Sequence, residues 1–439
     1  MILDERLRWM GFWMLDKMKG GKTREYYDQI RYAWKEGSSV EETEKRIQNL
    51  IAHAVKTTDF YKDYPETCSL EDLPVVNKDT FRQQYDRFVS STYKDAPDNR
   101  VMCTSGSTGT PLRMIQNRDK IRHNTAGGIF LGAAAGYYIG MKEAFIRVWV
   151  NNVRKSKFQL LQENLIMMDS SRMDEKALEE MFHVIEKKKV KCLVGYSSAL
   201  GELSEYIRKT GRDISRWSVE MVFSMGEALP QETYDLTKEL FGFSPVRSYG
   251  NNENGFIAIQ LDEDSEYTVD LYNFYPEILK LDSDEPAEPG ELGRIVVTDY
   301  YNKTFPMVRY DTGDTGKMRV YYDKNGRVHA KYTEIYGRRG FLMYNTKGEP
   351  LSIHVFMNTL LKFEGTVYQA KCIQWGEKDY ELLVNADRSR LDETELLAAY
   401  RHYLGEDAEL RITYVDQIPI QASGKFMVCE NKWNGRKQA

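Results

Sequence analysis

The sequence has few cysteines and histidines, and neither type occurs in a pattern that would use it. Its five cysteines are far apart and odd in number, and no Cys-x-x-Cys pair is present. The six histidines show no metal-ligand spacing. We therefore expect neither a disulfide framework nor a structural zinc site, and a reducing, cytoplasmic location is the default.

The chain also lacks an excess of positive charge and a long apolar run. Its formal net charge is −5 and its basic residues are dispersed, so it has no footprint of nucleic-acid binding. No apolar stretch approaches the ~20 residues that span a bilayer. No signal-peptide cleavage site follows the apolar group near the N-terminus. We expect no nucleic-acid partner and no transmembrane segment.

That N-terminal apolar group, from Trp9 to Leu15, has two interpretations. It is surrounded by basic residues: Arg6, Arg8, Lys17, Lys19 and Lys22. An interfacial amphipathic helix in peripheral contact with a membrane is one interpretation. A helix that covers the protein's own core is the other, and the sequence favours it.

What the chain does have is ample material for globular domains. Hydrophobic residues make up 41% and aromatic residues 12% of the sequence. With 439 residues, the chain is too long for one ordinary core. Strands and helices alternate between residues 144 and 249, and this alternation predicts a largely parallel sheet covered by helices. Short strands from 256 to 333 predict a mostly antiparallel β subdomain. The last block, of about 100 residues, mixes both types.

The predicted fold is therefore α/β with two domains. Residues 1–336 form a large N-terminal domain with mixed, largely parallel sheets and a β subdomain. Residues 337–439 form a small, mobile α+β domain. Ligands of parallel sheets bind outside the carboxyl ends of the strands. The chain leaves predicted strands through three loops, Gly195–Ser198, Ser224–Glu227 and Tyr249–Glu253.

A Ser/Thr/Gly-rich stretch runs from Thr104 to Pro111 between a predicted strand and a predicted helix. Glycine lets the backbone turn, and successive N–H groups then form a concave anion site. The Gly-Lys-Ser/Thr ending of a Walker A loop is absent. By itself the stretch is as well explained by a flexible surface linker.

Four further stretches carry chemistry. Tyr249–Glu253 joins an aromatic ring that could stack on a base to a carboxylate suited to Mg²⁺. Arg309–Gly316 places a carboxylate where it could grip ribose hydroxyls, or it is an ordinary hairpin turn. Its two Asp-Thr-Gly triplets follow one another directly, so they cannot face each other as the dyad of an aspartic protease within one chain. Gly337–Gly340 offers guanidinium groups for phosphate, and Pro419–Phe426 carries a lysine beside glycine.

In this order and spacing, the five stretches resemble the core motifs of the adenylate-forming superfamily: acyl-CoA synthetases, adenylation domains and luciferases. The length, the Leu73–Lys78 segment and the Ser224–Glu227 loop are similar to the phenylacetate–CoA ligase branch, which includes relatives from capsule loci. The resemblance covers about residues 40 to 430. It implies attack of a carboxylate on the ATP α-phosphate, which yields an acyl-adenylate and pyrophosphate.

The resemblance also implies a role for each matching residue. The loop that holds the ATP phosphates would be Thr104, Ser105, Gly106, Ser107, Thr108 and Gly109. The adenine would be surrounded by Ser224, Gly226, Glu227, Tyr249 and Gly250. Glu253 would bind Mg²⁺, Asp314 the ribose, and Arg338 ribose or phosphate. Lys425 would stabilise the adenylation transition state. The C-terminal domain would then rotate and admit the acceptor.

We expect the pocket for the acid at strand ends that face the adenylate. Its predicted residues are Trp149, Gly195, Tyr196, Ser197 and Ser224, although core packing explains the aromatic ones equally well. The hinge reads Gly-Arg-Arg-Gly instead of the usual acidic continuation, and no clear coenzyme A signature is present. Coenzyme A or an amine such as an amino sugar therefore remain alternative acceptors. A protein that binds nucleotide without catalysis, as an assembly partner, is the rival from another class.

Overall fold

The structure, a computed structural model, describes residues 3–103, 112–149, 154–338, 342–351, 355–356, 359–360, 362–363, 366–418 and 427–433. The predicted phosphate loop, residues 104–109, and the predicted catalytic Lys425 lie outside these ranges. The other predicted site residues lie within them.

Helices form where apolar residues recur at helical spacing, and several begin at a capping side chain. Asp174 accepts a hydrogen bond from the Ala177 N–H, as its capping-type sequence predicts. Asn77 accepts from the N–H groups of Asp79 and Thr80. The helices are α1 (Leu3–Met18), α2 (Lys22–Glu36), α3 (Val40–Thr57), α4 (Lys78–Gln83), α5 (Tyr85–Phe88), α6 (Arg118–Ala134), α7 (Lys157–Glu163), α8 (Glu175–Lys188), α9 (Ser197–Thr210), α10 (Gln231–Phe241) and α11 (Glu393–Leu404).

The strands form one large sheet and three small ones. In the N-terminal part they are β1 (Arg100–Cys103), β2 (Arg113–Gln116), β3 (Glu143–Arg147), β4 (Leu165–Asp169), β5 (Cys192–Tyr196), β6 (Met221–Met225), β7 (Val246–Asn251), β8 (Gly255–Gln260), β9 (Tyr267–Val269), β10 (Phe274–Leu279), β11 (Gly293–Asp299), β12 (Tyr310–Tyr322) and β13 (Val328–Arg338). Towards the C-terminus they are β14 (Met343–Tyr344), β15 (Pro350–Leu351), β16 (Val367–Gln374), β17 (Asp379–Ala386), β18 (Glu409–Tyr414) and β19 (Cys429–Asn431).

The large sheet has eleven strands in the order β10-β11-β12-β13-β9-β8-β7-β6-β5-β3-β4. Strands β4, β3, β5, β6 and β7 are parallel to one another. From β7 to β10 every neighbouring pair is antiparallel. The α/β fold class is confirmed, but the β subdomain is not a separate sheet. It continues the parallel sheet because β8 folds back on β7 as a hairpin and β9 pairs with both β8 and β13.

The core is divided in the same way as the sheets. Ile146, Ile185, Leu193 and Val222 belong to a buried cluster between the parallel strands and helices α8 and α9. The described residues near the C-terminus have their own sheet, β18-β17-β16-β19, and their own cluster beneath α11. The domain boundary between residues 336 and 337 stays a prediction.

Three local predictions need correction. Gly195–Ser198 is not a loop, because β5 runs to Tyr196 and α9 begins at Ser197. The sequence from Lys78 to Phe88 by itself indicates one helix, but the structure divides it at Gln84 into α4 and α5. Asp314 lies inside strand β12, at an irregularity in its pairing, instead of in a turn. Within the described residues, none of the helices is long and apolar enough for a membrane span.

Candidate active site

The hairpin between β7 and β8 carries Glu253 at the point where the sheet changes from parallel to antiparallel. Its turn is closed by a hydrogen bond of 2.7 Å from the Asn254 N–H to the Asn251 side-chain oxygen. At Gly250 a Cβ would lie 2.4 Å from the Gly255 carbonyl oxygen, so only glycine fits there. The predicted adenine-site glycine is thus a requirement of the hairpin itself.

The Glu253 carboxylate is almost completely buried and has a cationic partner. Its Oε1 lies 2.7 Å from the Lys78 ammonium, whose side chain is 18% exposed. The Tyr310 hydroxyl donates a hydrogen bond of 3.1 Å to the same oxygen. Burial, followed by the charge of Glu253, raises the pKa of Tyr310 well above its ordinary value, so this hydroxyl keeps its proton. The Glu253 carboxylate is therefore held in one orientation by an ammonium group and a hydroxyl.

Two side chains from the segment after the Ser/Thr/Gly-rich stretch hold the backbone of the hairpin. Gln116, in β2, donates its amide N–H to the Glu253 carbonyl oxygen at 3.0 Å. Lys120, in α6, donates to the Asn254 carbonyl oxygen at 2.9 Å and pairs with Asp299 at 2.5 Å. In the β1–β2 pairing Cys103 lies opposite Arg113, so the two ends of residues 104–112 are close together. Strand β2, which follows the predicted phosphate loop in the sequence, is thus bonded to the Glu253 hairpin.

Asp314 is the second buried carboxylate. Its Oδ2 accepts a hydrogen bond of 3.1 Å from the Tyr249 hydroxyl, and its Oδ1 lies 3.3 Å from Nε of Arg338. Burial raises the pKa of Asp314 above its ordinary value, and the Arg338 guanidinium opposes this rise. The charges of Lys78 and Glu253 also act on Asp314. These four residues, Lys78, Glu253, Asp314 and Arg338, are called the charged cluster below.

The neighbouring Asp311, in the same sequence motif, has a structural role. It pairs with Arg294 at 2.9 Å, and both side chains are buried. Arg309 has a positive φ of 47° and its guanidinium is bound by Glu277 at 3.0 Å. In this motif Arg309 and Asp311 therefore stabilise the fold, and Asp314 lies in the charged cluster.

The parallel strands contribute two hydroxyl groups and one carboxylate to the edge of the sheet. The Ser197 hydroxyl, at the start of α9, lies 2.6 Å from the Ser224 hydroxyl at the end of β6. It also donates to the Glu227 carbonyl oxygen at 2.8 Å. The Glu227 side chain accepts from the Ser198 N–H at the α9 N-terminus, where the helix dipole favours a carboxylate. Three of the predicted adenine- and acid-site residues are thus joined directly.

Tyr196 and two glycines lie beside Ser197, Ser224 and Glu227. Gly226 has φ 75°, and a Cβ there would lie 3.0 Å from two ring atoms of Tyr196. A Cβ at Gly195 would lie 3.0 Å from the Ile146 carbonyl oxygen of the neighbouring strand. Close approach of the backbone therefore explains both glycines, and it brings the Tyr196 ring against the Ser224–Glu227 segment.

Trp149 is further from this group. Its indole N–H donates to the Met168 carbonyl oxygen at 3.0 Å and its side chain is buried. Its ring faces the Arg147 guanidinium at 5.5 Å, which also lies 6.0 Å from the Tyr196 ring. Trp149 is thus anchored by the parallel half of the sheet, and its contact with an acid stays a prediction.

Tyr249 is placed by its hydroxyl as well as by its ring. The hydroxyl also lies 3.2 Å from that of Thr312, and the ring packs edge-on against Tyr332 with centroids 5.6 Å apart. The side chain is buried. In this structure Tyr249 therefore supports Asp314, and stacking on a base stays a prediction.

Comparisons with known proteins show what the chain is similar to. No family model matches the chain. Protein CapK of Staphylococcus aureus is 21% identical over 93% of this chain and 92% of its own length. Phenylacetate–coenzyme A ligase of Thermus thermophilus is 21% identical over 75% of this chain and 79% of its own length. A solved 2-hydroxyisobutyryl-CoA ligase in its postadenylation state covers 91% of this chain and 90% of its own, with a TM-score of 0.68 at 16% identity.

Over most of its length the chain is similar in sequence to these relatives, and it shares the fold of a solved adenylate-forming ligase, as its motifs predict. The two relatives agree with the predicted resemblance to the phenylacetate–CoA ligase branch. The family and the enzyme class, an adenylate-forming acid ligase, are therefore confirmed. The roles of individual residues stay predictions.

In this adenylate-forming enzyme, sequence reasoning missed three residues that contact Glu253. Lys78 and Tyr310 hold its carboxylate, and Gln116 holds its carbonyl. A weak signal for Lys78 was present. It follows Asn77, a residue type that caps helices, so the sequence indicates that a helix begins at Lys78. Nothing in the local sequence of Tyr310 or Gln116 separates them from core residues.

The residues present fit the Mg²⁺ ion that the superfamily implies. Magnesium is commonly bound through one or two carboxylates together with substrate phosphates. Glu253 supplies one buried, oriented carboxylate, and Asp314 lies in the same charged cluster. No group of three or more metal-ligating side chains occurs among the residues that the structure describes, so a metal cage built by protein alone is not indicated there.

Proposed function

We propose that this protein activates a carboxylic acid with ATP, releases pyrophosphate and transfers the acyl group from the acyl-adenylate to coenzyme A. The observation that supports this best is the charged cluster. It joins Glu253 and Asp314 beside the hairpin that Gln116 ties to strand β2, which follows the predicted phosphate loop in the sequence. One buried edge thus combines groups suited to a metal, a ribose and a polyphosphate.

The chemistry needs this concentration of charge. A carboxylate that approaches a triphosphate is repelled, so positive charge must be held close to the phosphates. Lys78 and Arg338 provide fixed cations at the cluster. Glu253 would hold Mg²⁺, which supplies further positive charge to the phosphates when bound. Because Lys78 lies on the same oxygen, it would have to give up at least part of this contact.

The nucleoside would be held by the two kinds of strand together. Ionised Asp314 accepts hydrogen bonds from vicinal hydroxyls, and Tyr249 and Arg338 hold its two oxygens in place. Ser224, Gly226 and Glu227 lie on the neighbouring strand end and would surround the base. The acid would bind beyond them, towards Tyr196, Ser197 and Trp149.

The two-domain organisation is part of the proposal. Residues 1–336 would bind ATP and the acid, and residues 337–439 would bring Lys425 to the transferring phosphate and then rotate away. Gly337 has φ 83°, and a Cβ there would have no atom within 4 Å, so open space surrounds this position next to the predicted hinge. We place the enzyme in the cytoplasm.

Pyrophosphate exchange into ATP, measured with a panel of carboxylic acids, tests the first half-reaction. We expect one class of acid to drive exchange, and Lys425→Ala to reduce exchange far more than it weakens ATP binding. Lys347→Ala, a change at an exposed lysine in the same predicted domain, is the matched control. If ATP binds and no acid drives exchange, the rival interpretation, a non-catalytic assembly partner, replaces this one.

The acceptor is tested separately. The acid that supports exchange would be supplied with ATP and either coenzyme A or an amino sugar, and the thioester or amide product would be identified by mass. A thioester supports the proposal. An amide alone would instead favour the alternative, acyl transfer to an amine in surface-polysaccharide synthesis.

A further inference from the structure

Helix α1 is fixed on the protein by a polar inner face. Glu5 is 1% exposed, and its carboxylate accepts from the Tyr138 hydroxyl at 2.9 Å and lies 3.3 Å from the Lys191 ammonium. Gly140 lies directly beneath the helix, because a Cβ there would be 2.6 Å from the Glu5 carbonyl oxygen. This buried contact sets which face of α1 points outward.

The outward face is apolar. Leu7, Met10, Met14 and Met18 follow one another at intervals of three or four residues, which places them on one side of the helix. Their side chains are 59%, 54%, 66% and 74% exposed. This arrangement is the reverse of an ordinary surface helix, whose apolar stripe faces the core. The favoured sequence interpretation, a helix that covers the core, therefore accounts for only part of α1.

A second exposed apolar pair adjoins this stripe. Phe158 and Leu161 in α7 are 73% and 65% exposed. The Arg8 guanidinium donates to the Leu161 carbonyl oxygen, and it lies 3.4 Å from that of Gln162. These six apolar residues, Leu7, Met10, Met14, Met18, Phe158 and Leu161, are called the apolar patch. Contiguous exposed apolar surface of this kind marks an interaction site.

The charge at the rim of the apolar patch is positive, although α1 has as many acidic as basic residues. Its acidic side chains are engaged elsewhere. Asp4 pairs with Arg8, Glu5 is buried, and Asp16 accepts from the N–H groups of Thr23 and Arg24 at the start of α2. The exposed basic residues are Arg6, Lys17 and Lys19. They contrast with the chain's overall net charge of −5.

We propose that the apolar patch is a docking surface for a membrane that contains anionic lipids, with α1 lying in the plane of the interface. Apolar side chains enter the boundary of headgroups and acyl chains, and basic side chains beside them are attracted to anionic headgroups. Contact with a second copy through the same patch is disfavoured, because a two-fold interface would oppose the basic rims of both copies.

Co-sedimentation of the full-length protein with lipid vesicles tests the proposal. One set of vesicles contains only phosphatidylcholine, and the other contains equal parts of phosphatidylcholine and phosphatidylglycerol. We expect strong binding only to the mixed vesicles, and weaker binding at high salt because salt screens the basic rim. Arg6→Glu combined with Lys17→Glu should weaken binding about tenfold or more.

Met10→Glu combined with Met14→Glu should abolish binding to the mixed vesicles. The matched control is Val320→Glu combined with Tyr322→Glu, since those side chains are 48% and 66% exposed on β12. The control should bind like the wild type. Circular dichroism and pyrophosphate exchange without vesicles should be unchanged in both double variants, because neither touches the candidate active site.

Two results would overturn the proposal. One is wild-type protein that does not bind the mixed vesicles, or a Met10/Met14 variant that binds them equally well. The other is a wild-type dimer in sedimentation velocity that the Met10/Met14 variant dissociates while lipid binding is absent, which would assign the patch to a second copy. Neither result depends on whether the proposed acid activation is correct.

Discussion

Two lysine–carboxylate pairs flank the β7–β8 hairpin, and they differ in their access to solvent. Lys120 and Asp299 are 1% and 0% exposed, and Lys120 also binds the Asn254 carbonyl oxygen. Lys78 is 18% exposed and meets a Glu253 side chain that is 2% exposed. We call Lys120–Asp299 the sealed pair and Lys78–Glu253 the open pair. The sealed pair is suited to position the hairpin. The open pair can exchange its cation for a ligand, because solvent reaches one side of it.

The surroundings of each pair agree with this division. Lys120 lies beside Phe274, with its ammonium 4.8 Å from the ring centroid, in the packed interior. The Lys78–Glu253 pair lies in the charged cluster with Asp314 and Arg338. The sealed pair also has a second carboxylate within electrostatic reach, the buried Asp270, so solvent access and not a neighbouring carboxylate distinguishes the two pairs. The comparison therefore separates support from function, and the following variants test it.

Lys120→Met should have the largest effect, and it should be an effect on stability. The change leaves the Asp299 carboxylate buried without its cation, which costs about 3–5 kcal/mol of unfolding free energy. Urea denaturation of the two variants Lys120→Met and Lys78→Met measures this. We expect a smaller loss for Lys78→Met, since water can solvate the exposed side of that pair. Equal losses would remove the distinction between the pairs.

Glu253→Gln should have the largest effect on activity. The amide keeps the shape and can still accept from Tyr310, but it lacks the charge that would hold Mg²⁺. Loss of one preorganised electrostatic group typically costs about 10²–10³ in rate. Pyrophosphate exchange measures the loss, and thermal unfolding should change little. Glu266→Gln, at a partly exposed carboxylate paired with Arg319, is the control. A fully active Glu253→Gln variant would exclude the assigned role.

Arg338→Gln should change the pH dependence of ATP binding. Burial already raises the pKa of Asp314, and the Arg338 guanidinium lowers it. Without that cation the pKa rises further, so Asp314 becomes protonated at a higher pH and ribose binding is lost earlier on acidification. Below its pKa, the ionised fraction falls about tenfold per pH unit.

The KM for ATP as a function of pH measures this shift. The acid limb of the profile should move to higher pH in Arg338→Gln, stay in place in Arg319→Gln, and disappear in Asp314→Asn. An unshifted limb in Arg338→Gln would show that Asp314 does not control nucleotide binding.

Sequence patterns predicted the elements well where local physics decides them. The change to short strands after residue 256 is one example, since the chain there forms β8 to β13. The parallel order followed from strand–helix alternation. The continuation of the sheet into the β subdomain did not, since it depends on pairing between β9 and β13, which are distant in sequence.

The candidate site was predictable only where a motif matched the family. Spacing alone does not distinguish Asp311 from Asp314, because both are followed by similar residues. The distinction comes from Arg294, which occupies Asp311 from another strand. Lys78 and Tyr310 were missed for the same reason: their meeting at Glu253 is a tertiary contact. The outward stripe of α1 likewise depends on Glu5 being anchored by Lys191.

Tyr310→Phe should have the smallest effect of the set, and it tests how Glu253 is held. The variant removes only the hydroxyl that donates to Glu253 at 3.1 Å. A hydrogen bond to a charged group is worth about 1.5–3 kcal/mol, so we expect exchange to fall roughly ten- to hundredfold. Tyr332→Phe is a matched control, because among the described residues this buried hydroxyl has no hydrogen-bond partner. If both variants lose activity equally, ring packing rather than the bond to Glu253 explains the loss. If only Tyr310→Phe loses activity, the Tyr310 hydroxyl positions Glu253 for activity. The Lys78–Glu253 pair then differs from the Lys120–Asp299 pair in two ways, because it is both accessible to solvent and held in position by a hydroxyl.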